Sequence, residues 1–309
     1  MNKNKKTVGV VIPTYNGGSV WKEVVSALQM QRSDFDKILV IDSGSTDETV
    51  AIAQNAGFTV EQISATKFNH GGTRNFGLHK IDCDIVVFLT QDAIPANNAI
   101  SLISSEFEDD RIAVTYGRQL PHDNATPIAE HARLFNYKSE KYVYEFNDKD
   151  KHGIKTTFTS NSFAAYKKEV FIDLGGFNDS IIFAEDMHFT ARALLAGHKV
   201  CYAAEATCKH SHNYSPIQEF RRYFDIGVFH RNESWIREIF GKPIGEGNEF
   251  IKSEFVFLWK KMNFIWIPIA CVNNFFKMLG YTIGLNYTKI PRKLTTRFTT
   301  CKSYWSKAK

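Results

Sequence analysis

Two aspartates, each placed where a short apolar run ends, carry the first chemistry in the chain. Residues 38–41 (Ile-Leu-Val-Ile) run into Asp42, and residues 85–89 (Ile-Val-Val-Phe-Leu) run through Thr90 and Gln91 into Asp92. A carboxylate held just beyond a buried parallel strand suits Mg²⁺ or Mn²⁺ bridging the phosphates of a nucleotide. Each residue also has a structural use, Asp92 as a helix N-cap and Asp42 in a Ser/Gly turn. Arg74 follows the pair Gly71-Gly72 at the start of a short helix, where its charge can face a pyrophosphate or join an ion pair. Glu185 and Asp186 open another helix, a place the macrodipole favours for acids. His210 and His212 stand two apart, so an extended segment turns both to one side.

These groups need a scaffold, and the periodicity supplies one. Strands are expected over 8–13, up to 42, over 58–63, 84–89 and 111–116, with helices over 19–31, 73–80 and from Pro95 to 108 between them. Ser45 with Glu48 three residues later reads as a capping box opening a helix that stops at Gly57. Alternating strands and helices define an α/β class with a mostly parallel central sheet flanked by helices. Beyond Gly117 the pattern loosens: a helix over 126–140, a polar mobile stretch over 147–155, a strand over 156–166, helices over 168–174 and 185–196, and a strand over 199–203. From Pro216 helical periodicity returns, rich in aromatics.

Composition narrows the setting. The chain has 309 residues, 43% of them hydrophobic, which is ample for a large core and argues against wholesale disorder. Five cysteines without C-x-x-C spacing argue against a disulfide framework or a zinc knuckle and fit a reducing compartment. The basic start, 1–6, leads straight into a strand with no apolar signal core, so secretion is not expected. The net charge of +5 is unevenly spread: from Ile251 onward eleven Lys and Arg face one acid, Glu254.

Four motifs in fixed order carry a family resemblance. They are Ile12-Pro13-Thr14-Tyr15-Asn16, Val40-Ile41-Asp42-Ser43-Gly44-Ser45-Thr46-Asp47, Thr90-Gln91-Asp92-Ala93 and Ala184-Glu185-Asp186. Together, over about 8–212, they resemble the inverting family-2 glycosyltransferases of the GT-A fold. The resemblance implies that Pro13, Thr14, Tyr15 and Asp42 hold the nucleoside. Gln91-Asp92-Ala93 stands at the family's D-x-D position, with one acid of the pair remaining. Gln91 and Asp92 would then bind the nucleotide sugar, and Asp92 the metal, with His210 completing the metal site in place of the missing acid. Asp186 would be the base that deprotonates the acceptor hydroxyl, kept ionised by the helix dipole, with Glu185 as the second choice.

Three further segments narrow the resemblance to bacterial rhamnosyltransferases that use dTDP-L-rhamnose. They are Phe68-Asn69-His70-Gly71-Gly72-Thr73-Arg74-Asn75-Phe76-Gly77, Phe88-Leu89-Thr90-Gln91-Asp92-Ala93 and His210-Ser211-His212-Asn213-Tyr214. The implied acceptor is a lipid-linked glycan in O-antigen or capsule assembly at the cytoplasmic face of the inner membrane. A nucleotidyltransferase would need a basic Gly-rich loop after the first strand, but 14–18 holds no base. A non-catalytic glycan-binding scaffold finds its only support in the single acid of the metal motif.

The division expected is a glycosyltransferase domain over 1–214 and a helical basic-aromatic region over 215–309. Within 255–285, Lys260, Lys261, Asn273, Asn274 and Lys277 interrupt the apolar residues and Pro268 divides the stretch in two. No run reaches the ~20 apolar residues of a spanning helix. Amphipathic helices on an anionic membrane surface fit better, with basic 289–309 behind them. A self-packing or oligomer-forming subdomain is the other reading, and nucleic acid is not an expected partner.

Overall fold

The computed structural model describes residues 6–241 and 246–307; of the basic termini, 1–5 and 308–309 lie outside the described residues. Nine strands form one mixed sheet: β1 (Val8–Thr14), β2 (Lys37–Asp42), β3 (Thr59–Gln62), β4 (Ile85–Leu89), β5 (Ile94–Pro95), β6 (Ile112–Leu120), β7 (Tyr142–Tyr144), β8 (Phe163–Lys167) and β9 (Lys199–Lys209). Their order is β3-β2-β1-β4-β8-β6-β9-β5, with β7 also on β9. Strands β3, β2, β1 and β4 are parallel, and β8 runs antiparallel between β4 and β6. Strands β1, β2 and β4 are buried on both faces because helices cover both, whereas the edge strand β3 is partly exposed. Val10, Ile12, Val40 and Val87 enter one core with Trp21 and Leu28. Val11, Ile41 and Phe88 enter the other with Tyr166, Phe177 and Phe189.

Several local readings yield to distant contacts. Pro95 does not open a helix: Ile94 and Pro95 pair with Lys209 and Cys208 of β9, and the helix spans Ala99–Ser105. Ser45 does not cap a helix. Its hydroxyl donates to Asp42, and the helix Thr49–Asn55 begins where Asp47 accepts from the Thr49 N–H. The helix expected over 73–80 starts earlier, spanning His70–Lys80, because the Asn69 side chain accepts from the Gly72 N–H. The segment 147–155, expected as a polar mobile stretch, is a run of short helical turns, and the strand expected over 156–166 is confined to Phe163–Lys167.

One irregularity shapes the site. Between Gly117 and Arg118 the β6–β9 register jumps, so that Gly117 faces Ala203 while Arg118 faces Thr207. A Cβ on Gly117 would lie 2.2 Å from the Phe163 ring, so a larger residue is excluded there. Past this bulge Gln119 and Leu120 face Cys208 and Lys209, and the His210 N–H donates to the Leu120 carbonyl at 2.8 Å.

The C-terminal helices join the same core. Phe224, Val228, Phe229, Ile236, Phe240 and Trp305 pack with Tyr116 and Tyr166 of the sheet and Phe189 of the helix Glu185–Leu195. Helices Pro216–Asn232 and Trp266–Leu285 approach closely enough that Cβ atoms on Gly280 and Gly284 would sit 2.3 and 2.2 Å from the Phe220 and Phe224 carbonyl oxygens. Gly284→Ala is therefore expected to cost about 1–3 kcal/mol in urea unfolding by forcing two backbones apart. Gly247→Ala meets nothing within 4 Å and serves as the neutral-to-stabilising control.

Candidate active site

The parallel strands deliver their polar residues to one rim. Thr14 ends β1 beside Asp42 at the end of β2, and its hydroxyl donates to Asp42 Oδ1 at 3.1 Å. Asp42 is fully buried and also accepts from the Gly44 N–H, the Ser45 N–H and the Ser45 hydroxyl. With four donors on it, the carboxylate shapes the 42–45 turn. Gln91 likewise holds backbone: its Oε1 accepts from the Tyr15 N–H at 2.7 Å and its Nε2 donates to the Tyr15 carbonyl at 3.0 Å. That clamp fixes the chain after Pro13 and leaves the Tyr15 ring 54% exposed at the rim.

Asp92 lies in an open cleft of about 550 Å³, bordered by His122, Asp123, Lys209, His212, Asn213 and Tyr214. His210 Nε2 is 3.5 Å from Asp92 Oδ1, and His212 Nε2 is 3.7 Å from Asp92 Oδ2. Ligand atoms of all three residues fall within 4.8 Å of one another, the one such grouping of three His, Cys, Asp or Glu among the described residues. Burial, then the charge of Arg133, hold the His210 imidazole well below its ordinary pKa, so the ring is neutral. Burial also lowers His212, against the pull of Asp92. Two neutral imidazoles turned toward a carboxylate form an N/O donor set that fits a divalent transition cation such as Mn²⁺. His210, the histidine that the resemblance implied, thus lies beside Asp92 together with His212.

Asp186 lies in the first turn of the helix Glu185–Leu195. Its Oδ2 accepts from the Asn161 N–H at 3.0 Å and its Oδ1 from the Met187 N–H at 2.8 Å. The strand start that holds Asn161 also bonds the end of β4, through the Thr90 N–H and the Ser162 carbonyl. Withdrawal from water, then the charge of Glu185, push the Asp186 carboxyl up to about 7 despite those two donors. The helix dipole, expected to keep it ionised, is outweighed by desolvation and a like charge.

Glu185 and Arg74 hold each other. Arg74 Nη1 donates to Glu185 Oε1 at 3.1 Å, both side chains being at most 10% exposed, and Asn161 Nδ2 donates to the same oxygen at 3.0 Å. Burial pushes Glu185 up, but Arg74, His70 and Asn161 bring it below the usual carboxylate range. It is a buried anion whose Oε1 is shared by Arg74 and Asn161. Arg74 Nη1 also donates to the His70 carbonyl at 2.9 Å, and the residue is buried. A Cβ on Gly71 would meet Phe177 at 3.1 Å and the Asn178 carbonyl at 3.2 Å.

Sequence reading missed Gln119, Arg133 and Ser160, which join the two halves of the rim. Gln119 accepts from Arg133 Nη1 and from His210 Nδ1, and donates to Ser160, next to Asn161. The available signal was a lone amide on the buried phase of an apolar strand.

A sheet with parallel strands ending on acids, a metal-competent Asp/His/His cleft and a carboxylate poised near neutrality is the architecture of a GT-A glycosyltransferase. The family model for glycosyl transferase family 2 matches residues 9–175, and the chain belongs to that family. It is 49% identical, over 97% of its length and 96% of the relative's, to the O-antigen chain rhamnosyltransferase RfbN of Salmonella typhimurium. WbaN of Salmonella anatum, another O-antigen chain rhamnosyltransferase, is 49% identical over 96% of this chain and 95% of its own. The fold is similar to that of the mannosyltransferase PcManGT from Pyrobaculum calidifontis in complex with GDP-Man and Mn²⁺ (TM-score 0.58, 18% identity, 98% of this chain and 86% of that one). It is also similar to S. aureus TarS in complex with UDP-GlcNAc (TM-score 0.53, 17% identity, 92% of each chain).

Proposed function

We propose that this glycosyltransferase transfers L-rhamnose from dTDP-L-rhamnose, with inversion, to a hydroxyl of a lipid-linked glycan during O-antigen assembly. The observation that carries the reading is near-full-length identity of 49% to two O-antigen chain rhamnosyltransferases. The cleft agrees with it. Asp186 receives the proton of the acceptor hydroxyl as its oxygen bonds to the anomeric carbon, and the bond from that carbon to the diphosphate breaks with its electrons leaving on dTDP. Asp92, His210 and His212 would hold the divalent cation, Mg²⁺ or Mn²⁺, whose charge offsets that of the departing diphosphate. The Tyr15 ring, exposed where Gln91 clamps its backbone, would lie against the nucleoside, with Pro13 and Thr14 behind it. A donor screen tests the assignment: dTDP-L-rhamnose should label a lipid-linked acceptor, while UDP- and GDP-sugars should not. Transfer from one of those donors instead would overturn it.

The acceptor's lipid places the enzyme at the cytoplasmic face of the membrane as a peripheral protein. No helix among the described residues is long and apolar enough to cross a bilayer. Helices Glu246–Lys260 and Trp266–Leu285 instead form a hairpin, and Pro268 sits in the first turn of the second helix, where it breaks no backbone bond. The division falls earlier, at Met262, whose φ of 57° turns the chain. Trp259, Met262, Phe264, Ile265, Phe275 and Met278 are all at least 46% exposed. So large an apolar surface beside Lys260 and Lys261 fits the interface of an anionic bilayer. Met262→Ser and Ile265→Ser are each expected to weaken sedimentation with anionic vesicles roughly tenfold. Unchanged sedimentation would remove the hairpin from the interface.

A further inference from the structure

Gln119 has 1% of its surface exposed, yet it serves three polar partners. Its Oε1 accepts from Arg133 Nη1 at 2.7 Å and from His210 Nδ1 at 2.9 Å, and its Nε2 donates to Ser160 Oγ at 2.9 Å. An amide turned end for end would look the same in shape, so chemistry has to choose its orientation. Arg133 makes that choice because a guanidinium only donates. It draws the amide oxygen toward itself, and the same oxygen then faces His210 Nδ1. That nitrogen must carry the proton, which leaves the lone pair on Nε2, the atom 3.5 Å from Asp92 Oδ1. The opposite tautomer would set a lone pair against Oε1 and an N–H toward Asp92, where it would bond the carboxylate and occupy the cation's place.

We infer that Gln119, oriented by Arg133, is a positioning residue that fixes His210 in the tautomer able to ligate a divalent cation. The inference rests on the reading that Asp92, His210 and His212 bind one. Three elements meet in this relay: Gln119 just past the β6 bulge, Arg133 on the helix Pro127–Asn136, and His210 just past β9. The arrangement explains why a buried strand carries an amide whose oxygen takes two donors. Partners that orient the second nitrogen of a metal-bound imidazole typically contribute 10–100-fold in affinity.

The test is Mn²⁺ titration in the presence of dTDP, read by the electron paramagnetic resonance signal of free Mn²⁺. Gln119→Met keeps the volume and removes the acceptor, and it should bind Mn²⁺ roughly 10–100-fold more weakly. Gln119→Glu keeps an oxygen facing both Arg133 and His210 and should bind within about threefold of the parent chain. Arg133→Met leaves the amide free to turn and should weaken binding even if Gln119→Met fails to fold, which thermal unfolding without metal would reveal. Parent-like affinity in Gln119→Met, or in Arg133→Met where Gln119→Met is unfolded, would overturn the inference and leave the metal reading standing. Equal losses in Gln119→Glu and Gln119→Met would also overturn it, by showing that shape rather than the acceptor matters. No Mn²⁺ binding by the parent chain would bring down the metal reading itself, and this inference with it.

Discussion

Asp186→Asn is expected to lower the turnover of rhamnosyl transfer by roughly 10²–10⁴-fold, the range a positioned general base supplies. The donor's KM should change little, because the lost proton acceptor serves the other substrate. Asparagine has the same shape and can accept one of the two backbone N–H groups, from Asn161 and Met187, that the carboxylate accepts now. The pH dependence gives a second readout. With the Asp186 carboxyl at about 7, turnover by the parent enzyme should rise as pH climbs through neutrality and level off above it. The variant's residual rate should lack that rise.

Stability should move in the opposite direction. Asp186 binds its proton more tightly when folded, at about 7, than at the ordinary 3.8. Below the ordinary value both states are protonated and ionisation costs nothing. As pH rises between the two values the folded state loses stability, and above about 7 the full cost is present. Asp186→Asn removes an ionisation that the fold resists, so its Tm relative to the parent should improve from about pH 4 to about pH 8. A variant that loses turnover while gaining relative stability identifies a residue held for chemistry rather than for folding. If the Tm difference is the same at both pH values, the burial-driven shift is wrong.

Asp92→Ala should be nearly as damaging for a different reason. It removes the only carboxylate of the Asp92, His210 and His212 group, leaving two neutral imidazoles to hold a divalent cation beside a diphosphate. Preorganised charge at a leaving group is commonly the largest catalytic contribution, and losing such a contact costs roughly 10²–10³-fold in turnover. The variant should also lose the Mn²⁺ dependence of dTDP binding in calorimetry. Nucleotide binding without metal should be almost unchanged, since the Tyr15 backbone is held by Gln91 and not by Asp92. A wild-type response to Mn²⁺ in Asp92→Ala would move the cation out of this cleft.

What could be read from the sequence was local or was carried by strong pattern. The runs ending at Asp42 and Asp92 are strands buried on both faces, as their unbroken β-branched and aliphatic composition implied. The Asp92–His210 pairing came from a family likeness and not from spacing, since 118 positions in sequence separate the two residues. What escaped was decided between distant segments. Arg74 and Glu185 are 111 residues apart, and nothing near either one signals that they neutralise each other. Pro95 resembles a helix start because its strand partner, Cys208, comes more than a hundred residues later. Ser45 and Glu48 have capping-box spacing, but the buried Asp42 carboxylate three residues upstream attracts the serine hydroxyl more strongly. Gln119 depends on a bulge in the β6–β9 register, which no periodicity reports.

Pulsed electron paramagnetic resonance of Mn²⁺ bound together with dTDP bears most directly on the whole account. One manganese centre should show magnetic coupling to imidazole nitrogen, from His210 and His212, and to phosphorus of the diphosphate at the same time. Phosphorus coupling without nitrogen would place the metal-bound nucleotide away from Asp92, and the reaction described here would have no site in this cleft.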